Sequence, residues 1–410
     1  TPNSGFAGRA SITLSGDGQS ATWFVAVNRP IDAAEARTTI MNGVVSIHSG
    51  GQPGHMVAFG QDAHDVAFYT EGFSGGTAVI AAGWGAGRVI AMPDHQMLNM
   101  QEFGTPSGVF YRNGLAWLGG QGPGIRIVTL SENIGAWLTA QGYQNVTVTN
   151  NGGLEAALAN ADVLVAAWLG SNPSNRLRQR VADFVRGGGG LFICEYGVGY
   201  NWWWGGPIHE APGNQLLREA GIGFVGGNRW DTDVINIVTA DGDMSAERLQ
   251  DMLSAPDQFA EADLERGGIM LARIHDALSP DDPIGKRLDA ALGNAVEAVR
   301  PTPNDPVRSE WKKALLLGEL NDLRALSPGE ITKHRSADEI FGPVPDNAAR
   351  VSRTLRIDPA QTRWHATGLY APPGELITVT VPEAIQERGV LVRFGGHTDN
   401  ISVRPAWKRP

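Results

Sequence analysis

The sequence of 410 residues predicts an α/β protein with a parallel sheet, followed by a helical domain and a short region of strands. Two observations support this prediction. Between residues 45 and 235, short apolar runs alternate with helical stretches, and that order is typical of a parallel, doubly wound sheet. After residue 240, apolar positions recur every three or four residues, as they do in amphipathic helices.

The first 45 residues are interpreted as an N-terminal extension that packs on the α/β domain. A Gly/Ser-rich stretch contains a short alternating strand at residues 21–27. A helix is predicted from residue 32 to about residue 41. Pro30 lies just before this helix, and Asp32 has the side chain of an N-cap residue.

The α/β domain is predicted at residues 46–238. Its candidate strands are the apolar runs 56–59, 78–82, 88–92, 125–129, 146–148, 163–167 and 191–194. Candidate helices separate them at 113–118, 131–141, 153–160 and 175–186. Several of these strands are apolar throughout, as expected for strands buried on both faces of a sheet. Four successive glycines at 187–190 end the last helix and lead directly into a buried strand.

A helical connector domain is predicted at residues 239–349. Its helices are expected at 246–253, 259–276, 286–299 and 309–326, with prolines between them. The last region, 350–410, contains the apolar run 376–382 and a second run that begins at residue 390, and both read as strands.

The composition argues against several classes of function. A net charge of −10 without a cluster of Lys and Arg argues against nucleic-acid binding. No apolar run approaches eighteen residues, so no membrane span is predicted. The single cysteine, Cys194, excludes an internal disulfide framework. Because the sequence starts at Thr1 rather than at a methionine, we expect a processed or trimmed form.

The most specific sequence motifs lie in the last sixty residues. They are TGLYAPPGE at 367–375, ITVTVP at 377–382, GGHTDN at 395–400 and the ending WKRP at 407–410. This region resembles the β-sandwich that leads into the catalytic domain of M60-like (enhancin-type) zinc metallopeptidases. The resemblance implies an incomplete β-sandwich at 350–410. It also implies structural corner positions for Trp364, His397, Asp399 and Asn400.

The same resemblance implies a function for the parent protein. Members of the family act on mucin-type glycoproteins outside the cell or have lost activity. We therefore expect a secreted or surface-attached bacterial zinc peptidase, with the zinc in a catalytic domain further along and no cofactor in this chain. The implied partners are mucin-type glycoprotein or glycan, and the C-terminal remainder of the peptidase or a second fragment.

The zinc-binding motif His-Glu-x-x-His is not found in the sequence. In that motif, two histidines one helical turn apart bind the metal, and the glutamate polarises the bound water. No two of the nine histidines are four residues apart. The pair His209–Glu210 is followed by Ala-Pro-Gly, which would break the required helix. We therefore expect no zinc site and no peptidase activity in this chain.

A second resemblance concerns the α/β domain. The motifs that carry this resemblance are WGAGRVI at 84–90, NGLAWL at 113–118 and FVRGGGGLF at 184–192. They are similar to the amidotransferase-like, flavodoxin-like domain that precedes the M60 region in some relatives, including the TRPM8 channel-associated factors. The resemblance implies a flavodoxin-like arrangement of the predicted sheet.

Cys194 is the candidate nucleophile. It ends a predicted parallel strand, at the sheet edge where open α/β folds place their ligands, and His209 and Glu210 follow fifteen residues later. A nucleophile elbow requires small residues on both sides, whereas Ile193 and Glu195 flank this cysteine. Because buried free cysteine is also a common core residue, a structural thiol is favoured over a Cys-His-Glu enzyme.

A loop rich in aromatic residues is predicted directly after the same strand. Glycines surround its rings, which belong to Tyr196, Tyr200, Trp202, Trp203 and Trp204. Flat Trp surfaces stack on sugar rings and on apolar groups of a partner, so the loop is a candidate binding surface. The alternative is that it folds back and packs internally. Residues assigned as polar contacts to the same cleft are Asn201, His209, Glu210, Asn214, Trp230 and Asp231.

Two further patterns favour structural roles. A second group of acidic and histidine residues follows two predicted strands, and it consists of Asp62, His64, Asp65, Asp94 and His95. Such ligands suit divalent ions, but their spacing matches no metal motif, and loop caps are favoured. The Gly-x-Gly-x-Gly words at 83–87 and 120–124 precede strands rather than helices, which argues against a dinucleotide fingerprint.

The two resemblances together imply that the chain is a non-catalytic N-terminal part of an M60-like metallopeptidase that binds glycoprotein or positions the catalytic domain. The alternatives are an amidotransferase-like enzyme that uses Cys194, which requires a reactive thiol of low pKa, and a purely structural scaffold without a ligand.

Overall fold

The computed structural model divides into two compact units, Thr1–Ala291 and Leu292–Pro410. The residues that it describes are 9–16, 19–26, 30–49, 52–99, 107–120, 122–229, 234–338, 342–345, 347–358, 364–383, 392–393 and 404–408. The predicted site residues Trp230, Asp231, His397, Asp399 and Asn400 lie outside these ranges. The four domains derived from the sequence and the boundaries between them stay predictions.

All strands among the described residues belong to the first unit. They are β1 (Arg9–Gly16), β2 (Gln19–Ala26), β3 (Ser46–His48), β4 (Gly54–Ala58), β5 (Ala63–Tyr69), β6 (Thr77–Trp84), β7 (Gly87–Met92), β8 (Arg126–Thr129), β9 (Asn145–Val148), β10 (Val163–Ala166), β11 (Gly190–Cys194), β12 (Ile222–Asn228) and β13 (Val234–Thr239).

The helices run through both units. They are α1 (Ala33–Ile40), α2 (Gln96–Asn99), α3 (Ser107–Gly119), α4 (Glu132–Ala140), α5 (Leu154–Leu158), α6 (Asn175–Arg186), α7 (Gly197–Trp204), α8 (Pro212–Leu217), α9 (Ala246–Ser254), α10 (Glu261–Ala277), α11 (Pro283–Val296) and α12 (Glu310–Ala325). Single 3-10 turns lie at Gly72–Gly75, Ile208–Glu210, Arg218–Ala220 and Pro256–Gln258.

A nine-stranded mixed sheet forms the centre of the first unit. Its strand order is β3-β13-β5-β6-β7-β11-β10-β8-β9. From β7 to β9 all neighbours are parallel, and from β3 to β7 all neighbours are antiparallel. Two small antiparallel sheets accompany it, the hairpin β1–β2 and the pair β12–β4. The α/β fold class is confirmed.

The parallel arrangement predicted from the sequence holds for only half of the sheet. The turn at Gly85–Ala86 joins β6 to β7 as a hairpin, and β4 leaves the main sheet to pair with β12. The prediction failed here because β6 and β7 are buried as completely as the parallel strands. An apolar run indicates burial on both faces but does not distinguish strand direction.

Helices cover both faces of the sheet. On one face, α1 to α4 pack over the strands around Ile90, Phe110 and Phe192. On the other face, α5, α6 and α8 pack together with β4 and β12 around Leu191 and Phe224. The helix α10 lies against β12 and β4. The sheet is thus the middle layer of a three-layer core, as in doubly wound proteins.

Local signals explain several of the helices. Ser174 caps α6 by accepting a hydrogen bond from the Leu177 N–H at 3.2 Å, and Asp32 caps α1 by accepting one from the Glu35 N–H at 2.9 Å. Leu177, Val181 and Val185 face the core at helical spacing. The bounds of α6 agree with the sequence prediction, and Asp32 has the capping position predicted for it.

The second unit is organised around α12 and Arg335. The guanidinium of Arg335 donates to the carboxylate of Glu319 at 2.7 and 3.1 Å. It also donates to the carbonyl oxygens of Val296, Glu297 and Val299 at 2.8–3.0 Å. These bonds tie the end of α11 to α12 because one planar group satisfies carbonyls and a carboxylate together.

The predicted sandwich strands are not seen as strands in the described part of 350–410. The run 376–382 has no ladder hydrogen bonds, and Leu376, Ile377 and Val379 are exposed. A strand requires a neighbour, and no described residue pairs with this run. A single antiparallel bridge joins Val307 to Trp407. No described helix is long and apolar enough to cross a membrane.

Candidate functional site

The candidate site lies where three parallel strands end side by side. β11 is hydrogen-bonded to β7 on one side and to β10 on the other, with Cys194 opposite Met92. The chain continues from these strands into Asp94 and His95, into Glu195 and Tyr196, and into Trp168. Open α/β folds place their ligand crevice at this edge.

The aromatic loop of the sequence prediction contains the short helix α7. It begins directly after the buried Tyr196 and ends at Gly205, which has the left-handed φ of 69° that favours glycine. The sequence gives little indication of this helix, because two of its first three residues are glycines, which have low helix propensity.

The three successive tryptophans of α7 are exposed. Trp202, Trp203 and Trp204 keep 51%, 57% and 47% of their surface accessible, whereas Tyr196 beneath them is buried. Internal packing, the alternative interpretation of this segment, therefore does not hold for these three side chains.

Two of the exposed rings, those of Trp203 and Trp204, form one continuous surface with neighbours from two other strand ends. The Trp203 ring lies 5.7 Å from that of Trp204 and 6.3 Å from that of His95. Trp168 lies 5.7 Å from both His95 and Trp204, and Tyr200 stacks on Trp204 at 5.9 Å. We name as the aromatic patch these five residues together with the adjacent Trp202, whose ring contacts that of Tyr196 at 6.2 Å. Its members are thus His95, Trp168, Tyr200, Trp202, Trp203 and Trp204.

A buried carboxyl group supports the patch from below. Glu195 accepts hydrogen bonds from the backbone N–H groups of Tyr196 and Gly213, both at 3.2 Å. Burial raises the pKa of Glu195 to about 7, although these bonds and one from Trp168 act in the opposite direction. Because Gly213 lies in the first turn of α8, Glu195 fixes the helix start and the Trp168 side chain together.

A second buried carboxyl group lies next to His95. Oδ1 of Asp94 accepts from the Gln96 N–H at 2.8 Å and lies 3.5 Å from Nδ1 of His95. Burial raises the pKa of Asp94 to about 7 and lowers the pKa of His95. The imidazole is therefore held between a carboxyl group inside the fold and two tryptophan rings at the surface.

Cys194 is not arranged as a nucleophile. It is the last residue of β11 and is fully buried. Burial raises the pKa of its thiol well above the ordinary value, and Asp94 and Glu195 raise it further. Within the described chain, no hydrogen bond or ion pair joins Cys194 to His209 or Glu210. Glu210 is exposed, and the half-buried His209 acts electrostatically on Asp276 of α10.

Comparison with known proteins identifies the family. A family model described as "TRPM8, N-terminal domain" (TCAF_N) matches residues 17–238, which is more than half of the chain. The chain belongs to the TCAF_N family. A second family model, described as the N-terminal domain of M60-like peptidases, matches residues 346–410. The TCAF_N match includes the whole aromatic patch.

Curated relatives of this TCAF_N chain are TRPM8 channel-associated factors. Factor 2 from Bos taurus is 23% identical over 346 residues, which are 78% of this chain and 35% of the relative. The homolog from Danio rerio is 25% identical over 359 residues, 82% of this chain and 37% of the relative. The chain thus spans about a third of the length of these relatives.

Solved structures with some likeness to the TCAF_N chain are those of the IMPa metallopeptidase. The structure from Pseudomonas aeruginosa has 13% sequence identity and a TM-score of 0.39, and the match covers 75% of this chain and 35% of that one. The complex with T-antigen has the same identity and TM-score, with 72% and 34% covered.

Several predicted polar contacts have structural roles in the TCAF_N domain. Asn214 is buried, where its side chain donates to the carbonyl oxygens of Ile208 and Phe224 and accepts from the Phe224 N–H. Asn201 is exposed and donates to the carbonyl oxygen of Gly206 at 3.0 Å. These amides hold turns in place, so their donors are already used.

The second acidic and histidine group does not come together. His64 and Asp65 lie inside β5, and Ala63 is opposite Ala82, which is itself opposite Val89. Asp62 and His64 thus lie toward the beginning of β7, whereas Asp94 and His95 follow its end. Asp65 is buried and accepts from Thr77 at 2.9 Å. The described residues contain no group of three or more acidic, histidine or cysteine side chains that could hold a metal ion.

Sequence reasoning missed two members of the aromatic patch. His95 was assigned to the acidic group, and Trp168 was not considered. Both follow a strand that was predicted correctly, and the carboxyl ends of neighbouring parallel strands meet at one edge. Applied to every predicted strand end, that rule would have placed them beside Trp202, Trp203 and Trp204.

Proposed function

We propose that this chain is a non-catalytic part of an M60-like, peptidase-related protein and that its aromatic patch binds the glycan of a mucin-type glycoprotein. The observation that carries this proposal is the exposure of three successive tryptophans, together with Trp168, Tyr200 and His95, at the ligand edge of the sheet. Such flat rings bury the apolar face of a sugar without a deep pocket.

The geometry favours binding over catalysis. The candidate nucleophile Cys194 is buried with a raised pKa, and its expected partners do not contact it. The match of residues 346–410 to the N-terminal domain of M60-like peptidases supports a place beside a catalytic domain. Zinc in that domain, its acceptance of mucin-type substrates and a secreted or cell-surface location are parts of the proposal.

The relatives named after the TRPM8 channel favour a second candidate function, in which the same patch contacts a protein. Aromatic clusters also serve as protein interfaces. Both functions require the same exposed rings, and they differ in the ligand that competes for them.

The test is a titration of the full chain with the T-antigen disaccharide linked to threonine, followed by nuclear magnetic resonance. A stacked sugar contributes about 1 kcal/mol per ring beyond the area it buries, so we expect a dissociation constant in the millimolar range. Trp203→Ala is expected to weaken binding about fivefold or more and to lower the melting temperature by no more than a few degrees.

Trp364→Ala is the matched control. Trp364 is 65% exposed and belongs to the second unit, outside the patch. We expect it to bind the disaccharide like the wild type. If the wild type binds no disaccharide, or if Trp203→Ala binds it equally well, the glycan function is refuted. Unfolding of Trp203→Ala would favour the scaffold interpretation instead.

A further inference from the structure

The side chain of His95 differs from the other members of the aromatic patch in its chemistry. It contributes a polar ring to a surface that otherwise consists of tryptophan and tyrosine. Its ring lies 5.7 Å from Trp168 and 6.3 Å from Trp203, the latter at an interplanar angle of 77°. The imidazole thus lies nearly perpendicular to the Trp203 ring, beside the surface on which a sugar ring would stack.

A buried carboxyl group lies beside the imidazole. Nδ1 lies 3.5 Å from Oδ1 of Asp94, and Nε2 lies on the opposite edge of the ring. Asp94 is itself held by the backbone N–H of Gln96. The side chain of His95 is 22% exposed, whereas that of Asp94 is almost completely buried. At this distance the two side chains are not hydrogen-bonded, but an ionised carboxylate still favours the tautomer in which Nδ1 carries the proton.

We propose that His95 is the specificity-determining residue of the aromatic patch, accepting through Nε2 a hydrogen bond from a hydroxyl group of the sugar that stacks on Trp203, and that Asp94 is its positioning residue. The proposal rests on the glycan-binding function of the patch. Stacking alone accepts any flat apolar face, so one directed polar atom is needed to select a ring with a hydroxyl group at its edge.

The ionisation of Asp94 predicts how the affinity for the ligand changes with pH. When Asp94 is ionised, Nδ1 carries the proton that faces the carboxylate, and Nε2 presents its lone pair to the ligand. When Asp94 is protonated, that constraint on the tautomer is lost. Because burial raises the pKa of Asp94 to about 7, the change falls between pH 6 and pH 8. Binding is therefore tighter at the higher pH.

Other titratable or charged groups near this site also affect the pH dependence of binding. They are Cys194 on β11, Glu195 and Tyr196 between β11 and α7, Tyr200 on α7, and Arg178 on α6, which interacts electrostatically with Tyr200. Burial raises the pKa of Glu195 to about 7 as well, so the pH dependence must be assigned by substitution rather than from the wild-type curve.

The first experiment measures the affinity of the full chain for threonine-linked T-antigen disaccharide at pH 7.5. His95→Phe keeps an aromatic ring against Trp168 and Trp203 but removes both nitrogens, and we expect about a tenfold loss of affinity. His95→Gln restores an amide oxygen near the position of Nε2 and is expected to recover binding to within about threefold of the wild type.

The second experiment isolates Asp94. We expect the wild type to bind several-fold more tightly at pH 8 than at pH 6, and Asp94→Asn to show the same affinity at both values. A residue with only a structural role would shift affinity without changing this profile. Circular dichroism at both pH values confirms that each variant is folded.

The outcomes separate this inference from the proposed function. If the wild type does not bind the disaccharide, both are refuted. If Trp203→Ala loses binding while His95→Phe keeps it within twofold of the wild type, the glycan function stands and the role of His95 is refuted. A wild-type pH profile in Asp94→Asn refutes the positioning role of that residue.

Discussion

Cys194 shows how its surroundings decide the chemistry of a single side chain. Position alone, at the end of a central parallel strand, made it a candidate nucleophile. Its burial and the two neighbouring carboxyl groups raise the thiol pKa and remove the reactive thiolate. The sequence also argues against a nucleophile, because Ile193 and Glu195 on either side are incompatible with an elbow.

The first prediction concerns the reactivity of this thiol. Labelling of the native protein with an aromatic disulfide reagent at pH 7.5 should be slower than labelling in denaturant by a factor on the order of a hundred or more, because access requires opening of the sheet edge. Cys194 is the only cysteine, so the absorbance change reports on it alone. Rapid native labelling would revive the enzyme hypothesis.

The second prediction concerns Asp94 and stability. Its pKa in the folded state, about 7, lies above the ordinary value of 3.8, so the fold favours the protonated form. The stability from this group is present at low pH and is lost as the pH rises toward and through 7. Asp94→Asn cannot ionise, and its amide oxygen can still accept from Gln96.

We therefore expect Asp94→Asn to be more stable than the wild type at pH 8, by about 4 kcal/mol at most, and the difference to shrink toward pH 4. Urea unfolding at several pH values measures it. His55, whose pKa burial lowers to about 4, has the opposite pH dependence, but both proteins contain it and its effect cancels. A difference independent of pH would contradict the burial of an ionisable Asp94.

At the scale of secondary-structure elements, the close packing of β7 against the neighbouring backbone depends on one glycine, Gly87. A Cβ atom at Gly87 would collide with the carbonyl oxygens of Val185 and Gly189. Backbone atoms at both positions are fixed by α6 and the turn into β11, so they cannot move aside. The repeated glycines at 83–87 are therefore explained by close packing and not by a nucleotide.

Gly87→Ala is accordingly expected to lower the free energy of unfolding by roughly 2–4 kcal/mol, as measured by urea denaturation. Gly124→Ala serves as its control, because a Cβ there meets nothing within 4 Å and its φ is not in the left-handed region. We expect that variant to lie within about 0.5 kcal/mol of the wild type. Similar stabilities of the two variants would argue against this close contact.

The success of sequence reasoning varied with the type of element. α6 was predicted to the residue, because Ser174 caps it and its apolar residues are spaced at three and four. β5 was missed, because His64 and Asp65 lie inside it, and the buried carboxyl group is stabilised by a hydrogen bond from Thr77 and by the charge of Arg273. Contacts between residues distant in sequence therefore determined the elements that local patterns did not predict.

At the scale of the whole molecule, each of the two units has its own internal contacts. Arg335→Ala removes the donors that tie the end of α11 to Glu319 and α12, all within the second unit. In differential scanning calorimetry we expect it to lower the transition of that unit alone, by several degrees. Gly87→Ala should lower the transition of the first unit instead. Equal shifts of a single transition would show that the units unfold together.

The order of the strands along the sheet was beyond the reach of the sequence. Seven strands were placed correctly from apolar runs, yet nothing in a run states which strand lies beside it. β11 pairs with β7 across about one hundred intervening residues, and this pairing brings His95, Glu195 and Trp168 to one edge. The candidate site therefore depends on the long-range contacts that local patterns encode least.

The pairing of β11 with β7 also has a consequence for how the chain folds during its synthesis. While the protein emerges from the ribosome, β6 and β7 can form their hairpin early, and β8 can pair with β10 once residue 166 is available. Only β11 joins these two halves, and it follows β7 by roughly 5–20 s at ordinary rates of synthesis. Until then β7 and β10 each present an unpaired apolar edge, which is a site for aggregation. Shortened chains that stop before Cys194 should therefore be found in inclusion bodies, whereas the nascent chain during this interval is a substrate for chaperones.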